Sequence, residues 1–392
     1  MSWWDYGHLI TVQGERIPHS NPFQQNARSS SAFFLADSEE RSDLLLDALP
    51  AAGGEDVHEL SDEELAALAA EGEEANEEMR YVMIDDAMAG GKFPALATWT
   101  GPEYESYLGQ QEIRVGDESA TVQGLDESYD DTTLSRLYYN DAAEMEGYRL
   151  VHESPEQTQF VSVAAQNEED EWVTIATNRE LTPQLYQQLL LYEQQGIEIA
   201  TFDEREASSV KTYERVEGAQ LVGEAESGET VSVQLELTTG ESDRSFTYSQ
   251  ETTADGDGNY ELTVPYATSE DLGTEDGYTD SDVIAEGDYE ITAGEESMTA
   301  EVSEQAIYGG ETVEVTETEG TDGDEAEETG GDAEGETDEA DEDEEEVTSN
   351  GEEDEITDDE TAEEETPEGD ETEDETATDE TETADDDLEE SD

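Results

Sequence analysis

No cysteine occurs in the 392 residues, so no disulfide framework can staple the fold, and no thiol reports a redox compartment. Lysine is scarce too: Lys92 and Lys211 are the only two, and 13 basic residues face 114 acidic ones for a formal net charge of -101. That balance excludes nucleic acid as a partner, because phosphate binding needs Lys and Arg to release counterions. An anionic membrane surface is repelled for the same reason. There is no run of 18 apolar residues and no charged-then-apolar leader, so, read literally, nothing here spans or crosses a membrane. The four histidines, at positions 8, 19, 58 and 152, show no metal-ligand spacing. Gly-x-Ser-x-Gly, Gly-x-Gly-x-x-Gly and phosphate-loop patterns are missing, which removes support for hydrolase and nucleotide-binding readings. Asn-x-Ser/Thr is also absent, so the chain is not itself an N-glycosylation acceptor.

What the chain has in excess is acid, dense even in segments that read as folded. Such a surface suits very salty surroundings: at about 1 M salt the Debye length is only about 3 Å, and self-repulsion is largely screened. The folded part is therefore expected to loosen, with a falling melting temperature, as salt is removed.

Only four Trp occur, and two of them stand together in Trp3-Trp4-Asp5-Tyr6-Gly7. An indole N–H only donates, an ionised carboxylate only accepts, and a hydroxyl satisfies both at once. The trio suits a pocket that grips a Ser or Thr side chain; the bland alternative is that the indoles pack a core edge. Further on, the apolar stretch Met79-Arg80-Tyr81-Val82-Met83-Ile84 reads as a buried strand. It runs into Asp85-Asp86-Ala87-Met88-Ala89-Gly90-Gly91-Lys92, an Asp-x-x-Met-x-x-x-Lys pattern. Residues three apart share one face of a helical turn, and Gly90-Gly91 would break that turn before Lys92. Taken alone, Met88 reads as an ordinary core methionine.

Both segments resemble the signatures of the oligosaccharyltransferase catalytic subunit, and Gly7 to Pro18 resembles haloarchaeal members of that family. The resemblance implies an enzyme that moves a lipid-carried glycan onto Asn of Asn-x-Ser/Thr. It implies that Trp3, Trp4 and Asp5 hold the acceptor hydroxyl, supported by Tyr6, Gly7, Asp85 and Lys92, while Met88 lies against the Thr methyl. Burying one methyl is worth about 0.8 kcal/mol, which predicts a several-fold preference for Thr over Ser. The implied partners are an acceptor protein or peptide with Asn-x-Ser/Thr and a dolichyl-phosphate-linked glycan, at the external face of the cell membrane. Family members carry a multi-helix membrane domain ahead of the Trp-Trp-Asp motif, and that domain supplies the catalytic acids and the ligands for Mg2+ or Mn2+. None of those ligands is assigned in this chain, which is expected to recognise an acceptor without glycosylating it alone. The competing expectation is a non-enzymatic acidic surface protein from a truncated gene.

The fold class expected is α+β, with three parts. Residues 1–209 read as a mixed α/β domain: a loop over 7–25, helices near 30–35, 39–49, 132–140 and 181–195, a capping box at Ser61-x-x-Glu64, and strands near 148–152, 160–165 and 171–176. Residues 210–315 alternate apolar and polar positions at short spacing, as in Val231, Val233, Leu235 and Leu237, which argues for a small antiparallel β-sandwich. Within it, Asp255-Gly256-Asp257-Gly258-Asn259 invites a calcium reading, but the twelfth position is Tyr266 rather than Glu, and a hairpin turn of Asp and Gly is preferred. Residues 316–392 are mostly Asp, Glu, Thr and Gly with no Lys or Arg, a disordered acidic tail by composition.

Overall fold

A computed structural model of the chain describes residues 1–53, 56–72, 79–100, 104–240, 242–269 and 277–317. The tail expected from residue 316 lies outside the described residues from 318 onward. A 3-10 turn over Trp4–Tyr6 leads into α1 (Gly7–Val12), followed by α2 (Ala27–Phe34), α3 (Glu39–Ala48) and α4 (Asp62–Gly72). The capping box at α4 is present: the Glu64 N–H donates to Ser61 Oγ at 3.4 Å, and the Ser61 N–H donates to the Glu64 carboxylate at 3.0 Å. Helix α1 corrects the expected loop. Its Gly, Ile, Thr and Val are weak helix formers, and the turn that delivers it comes from the packing of the aromatic motif.

Strand β1 (Tyr81–Asp85) ends in the short helix α5 (Asp86–Ala89), then α6 (Phe93–Ala97). A hairpin of β2 (Leu108–Val115) and β3 (Glu118–Leu125) follows, then α7 (Glu127–Asp130), α8 (Thr133–Asn140), β4 (Tyr148–Glu153), β5 (Gln157–Gln166), β6 (Trp172–Glu180), α9 (Pro183–Gln194), β7 (Ile199–Ser208) and β8 (Val210–Arg215). The β2–β3 hairpin escapes pattern reading because its one apolar face, with Ile113, Val115 and Val122, is sparse and interrupted by Gln and Glu. It turns on two residues, Gly116 and Asp117, with Gly116 at φ +63°, the left-handed conformation that tight hairpins require. Helix α9 has the expected ends: Thr182 Oγ1 accepts from the Leu185 N–H at 3.1 Å, Pro183 opens the first turn, and Gly196 follows at φ +86°.

Two three-stranded antiparallel sheets organise this part, β1-β8-β4 and β6-β5-β7. The first backs the main core, where Phe33, Phe34, Met88, Phe93, Tyr129 and Tyr138 pack together. Here the boundary expected at 209/210 shifts. Strand β8 is the centre of the first sheet, with Tyr213 buried in its core, and the sandwich begins only at β9 (Ala219–Glu224). The alternating pattern of β8 matches the later strands, and only its partners reveal where it belongs.

The remaining strands are β10 (Thr230–Thr239), β11 (Ser245–Thr253), β12 (Asn259–Val264), β13 (Val283–Ala285), β14 (Tyr289–Ala293) and β15 (Glu296–Ala300), then α10 (Glu304–Gly309), β16 (Thr312–Glu314) and β17 (Thr316–Glu317). One sheet runs β11-β10-β14-β15-β17 with β13 beside β10; the other runs β12-β9-β16. Their inward residues, including Val231, Val233, Leu221, Leu262 and Ile291, share one core. The sandwich is not wholly antiparallel, since β16 pairs with β9 in parallel. Asp255 makes a turn, but not the preferred hairpin, since it passes the chain from β11 to β12 in the other sheet; its Oδ1 accepts from the N–H of Asp257 at 2.8 Å and of Asn259 at 2.9 Å.

The sandwich and the α+β part belong to one unit, tied by buried ion pairs. Arg244 contacts Asp141 at 2.9 Å and Glu153 at 2.7 Å, and Lys211 contacts the same Asp141 at 2.6 Å. Arg149 contacts Glu214 at 2.7 Å and Glu304 at 2.5 Å.

Candidate functional site

The chain enters the fold through Trp3, which is 2% exposed and packs edge-on against Trp99 with ring centroids 6.3 Å apart. Trp4 lies 6.0 Å from Trp3 at a 54° tilt and is only partly buried. The turn that carries them needs glycine at position 7, because a Cβ there would stand 2.4 Å from the Ser20 carbonyl oxygen. Ser20 in turn donates to the Ser2 carbonyl at 2.8 Å, so the loop 20–21 clamps the motif from behind.

Across from it stands α5. Its cap is Asp85, whose Oδ1 accepts from the Met88 N–H at 2.8 Å, which leaves the Asp85 side chain pointing at the helix start. Gly90 and Gly91 then carry the chain to Lys92, whose ammonium donates to Asp5 Oδ2 at 2.6 Å and to the Tyr6 hydroxyl. The same ammonium lies 4.2 Å from the Tyr6 ring centroid. Burial, followed by the neighbouring Asp85 carboxylate, pushes the Tyr6 phenol above its ordinary value, so it remains a neutral bridge. Burial also lifts the Asp85 carboxyl, against the opposing pull of Tyr6, the Met88 N–H and Lys92. The two sequence motifs therefore meet through Lys92, Asp5, Tyr6 and Asp85.

Two candidate residues are placed differently from the exposed wall expected of them. Met88 is 0% exposed and Trp3 nearly so; both support the site from within the core. What faces the site is Trp4, Asp5, Tyr6 and Lys92, with the Asp5 and Lys92 side chains 30% and 34% exposed. The chemistry left over is specific. Trp4 Nε1, a donor, and Asp5 Oδ1, an acceptor, have no partner among the described residues although both are buried. Such groups are rare in folded proteins because each forfeits its hydration. Sequence reasoning missed Trp99 and Ser20. The rarity of Trp could have flagged the first, but Ser20 acts through its carbonyl against Gly7 and its hydroxyl on the Ser2 carbonyl, and a single Ser leaves no signal. Among the described residues, no group of three or more His, Asp or Glu is placed to hold a metal ion, so these side chains do not fit the Mg2+ or Mn2+ that the resemblance implies.

Residues 1–52 match the family model described as the AglB core domain, and residues 218–313 match the archaeal glycosylation protein B long peripheral domain. The chain is similar to the C-terminal part of archaeal oligosaccharyltransferases. It is 29% identical over 379 residues to the dolichyl-monophosphooligosaccharide–protein glycotransferase AglB of Haloferax volcanii, covering 81% of this chain and 34% of that protein. It is 25% identical over 363 residues to dolichyl-phosphooligosaccharide-protein glycotransferase 3 of Archaeoglobus fulgidus, covering 80% and 37%. The chain thus spans about a third of the length of the curated relatives it matches. The A. fulgidus oligosaccharyltransferase solved with Zn and sulfate superposes with a TM-score of 0.53 at 20% identity, over 80% of this chain and 40% of that one. The same organism's AglB, in complex with an inhibitory peptide and a dolichol-phosphate, gives 0.52 at 21% identity, over 80% and 36%. At that identity the likeness establishes the oligosaccharyltransferase fold. No helix among the described residues is long and apolar enough to cross a membrane.

Proposed function

We propose that this chain recognises the Ser or Thr of an Asn-x-Ser/Thr acceptor, as the acceptor-binding part of an oligosaccharyltransferase that moves a dolichyl-phosphate-linked glycan onto Asn. The observation that carries the reading is the unpaired couple on adjacent residues, Trp4 Nε1 and Asp5 Oδ1. One hydroxyl accepts from the first and donates to the second. Lys92 occupies the other Asp5 oxygen, which leaves Oδ1 for the ligand. Trp3 sets the position of Trp4. Met88, 0% exposed, lies beneath the turn and would meet a Thr methyl only if the Gly90-Gly91 end of α5 shifted.

The names of the relatives support this assignment, as does the A. fulgidus enzyme solved with a tethered acceptor peptide containing the NVT sequon. Among the described residues no metal-holding group is brought together, so transfer would draw on groups outside them. The described residues bind and orient the acceptor.

The test is Asp5→Ala in high salt. Titration with an Asn-x-Thr peptide is expected to show a loss of about 1–3 kcal/mol, because the acceptor hydroxyl is left without its partner. An unchanged affinity with the fold intact would refute the assignment.

A further inference from the structure

The α5 turn whose Lys92 end holds Asp5 and Tyr6 also borders a second space. A cavity of about 830 Å³ runs from Asp86, Ala87 and Gly90 between the β2–β3 hairpin, helix α9 and the sheet β6-β5-β7. Backbone contacts hold its walls in place. A Cβ on Gly124 would stand 2.1 Å from the Ile175 carbonyl oxygen, so β3 lies directly on β6. At the hairpin tip the Gly116 N–H donates to the Gly196 carbonyl at 3.2 Å, tying the hairpin to the end of α9.

The lining alternates in character, with Ile113, Ile175 and Leu189 beside Thr177, Asn178 and Gln188. Asn178 stands out. It is 8% exposed, sits at φ +49° inside β6, and directs Nδ2 to Asp130 Oδ1 at 3.5 Å while its buried Oδ1 has no partner. Its left-handed backbone belongs to a bulge, where the β5–β6 register shifts, but a buried acceptor left unsatisfied is a feature kept at binding sites. The missing group is a hydrogen-bond donor. A lipid tail brings none, and a glycan would leave the Ile and Leu surface facing hydroxyls. An extended polypeptide supplies amide N–H groups and apolar side chains in alternation.

We propose that this groove binds the polypeptide flanking the acceptor sequon, with one of its backbone N–H groups donating to Asn178 Oδ1 and its aliphatic side chains against Ile113, Ile175 and Leu189. The proposal rests on the acceptor reading for its starting point, since Asp86 to Gly91 connect the two sites.

Fluorine NMR titrations of the full chain in molar salt would compare an Asn-x-Thr tripeptide amide with the same sequon extended by five residues containing Leu and Val, on one side or the other. One extension should tighten binding at least about tenfold, a gain of about 1.4 kcal/mol. Asn178→Gly keeps the left-handed backbone but removes the oxygen, and Gln188→Trp fills the groove from α9. Each should erase the gain and leave the tripeptide affinity unchanged. The groove assignment is overturned if neither extension helps the wild type, or if both variants keep the gain. Binding of the extended peptide alone, lost in Gln188→Trp, would uphold the groove and remove the hydroxyl site; binding of neither peptide would remove both.

Discussion

At the seam between the α+β part and the sandwich, Arg244 serves two carboxylates at once, the fully buried Glu153 and the largely buried Asp141, and every oxygen it faces is paired. At the N-terminal site, Lys92 holds one oxygen of Asp5 with both side chains about a third exposed, and the other oxygen of Asp5 goes unpaired. The scarcity behind the contrast is common to both: 13 cations serve the whole chain. At the seam, Glu153 and Asp141 stay below their ordinary range despite burial, which pushes them up, because Arg244 and Lys211 outweigh it. A buried charge cluster that is complete holds two bodies in one arrangement. A cluster left incomplete has room for a partner. Completeness of pairing therefore separates structure from function in this molecule better than the number of charges does.

The sharpest way to break that comparison is Arg244→Met, which removes the cation facing Glu153 and leaves Asp141 with Lys211 alone. Loss of one partner from a buried pair is expected to destabilise by about 3–5 kcal/mol, read from urea denaturation at fixed high salt. A loss below about 1 kcal/mol, the range of exposed pairs, would make the seam no different from the surface. Gly7→Ala should act on the other side of the contrast. A methyl 2.4 Å from the Ser20 oxygen must push the aromatic turn aside, with a destabilisation of about 1–3 kcal/mol and weaker binding of an Asn-x-Thr peptide. If melting temperature and peptide affinity both survived, the turn would not be the rigid element described.

The smallest effect concerns a seam carboxylate without an ion pair. Glu39 accepts from the N–H groups of Glu146 at 2.9 Å and Gly147 at 2.7 Å, yet burial outweighs these bonds and raises its carboxyl to about 7 from 4.5. The folded state then binds the proton more tightly than the unfolded chain. Its contribution is fully present below about pH 4.5 and is lost as pH rises to about 7. Glu39→Gln should flatten that segment of the stability–pH curve; an unaltered slope would assign it to other groups.

Much of the fold shows in local pattern. The Ser61–Glu64 box, the ends of α9 and the alternation of β10 announce themselves because caps and period-2 faces are short-range properties. The meeting of Trp-Trp-Asp with the Lys92 turn was legible only through resemblance, since residues 5 and 92 have no local reason to be neighbours. Helix α1, the β2–β3 hairpin and the place of β8 escaped, each because its stability comes from what it packs against. Lys211 shows this most plainly. A lysine in an alternating segment reads as solvent-facing, yet it is 1% exposed and paired with Asp141.

By itself the chain of residues determined its charge, the expected elements and the chemical types offered at position 3 to 7: donors, an acceptor and a small residue. Folding decided that Trp3 and Met88 would be buried supports, that Trp4 and Asp5 would keep one unmatched atom each, and that the cations would be concentrated at the seam. The reason is range: propensity and capping act over a few residues, whereas burial and ion pairing depend on which distant segments come within a few ångströms.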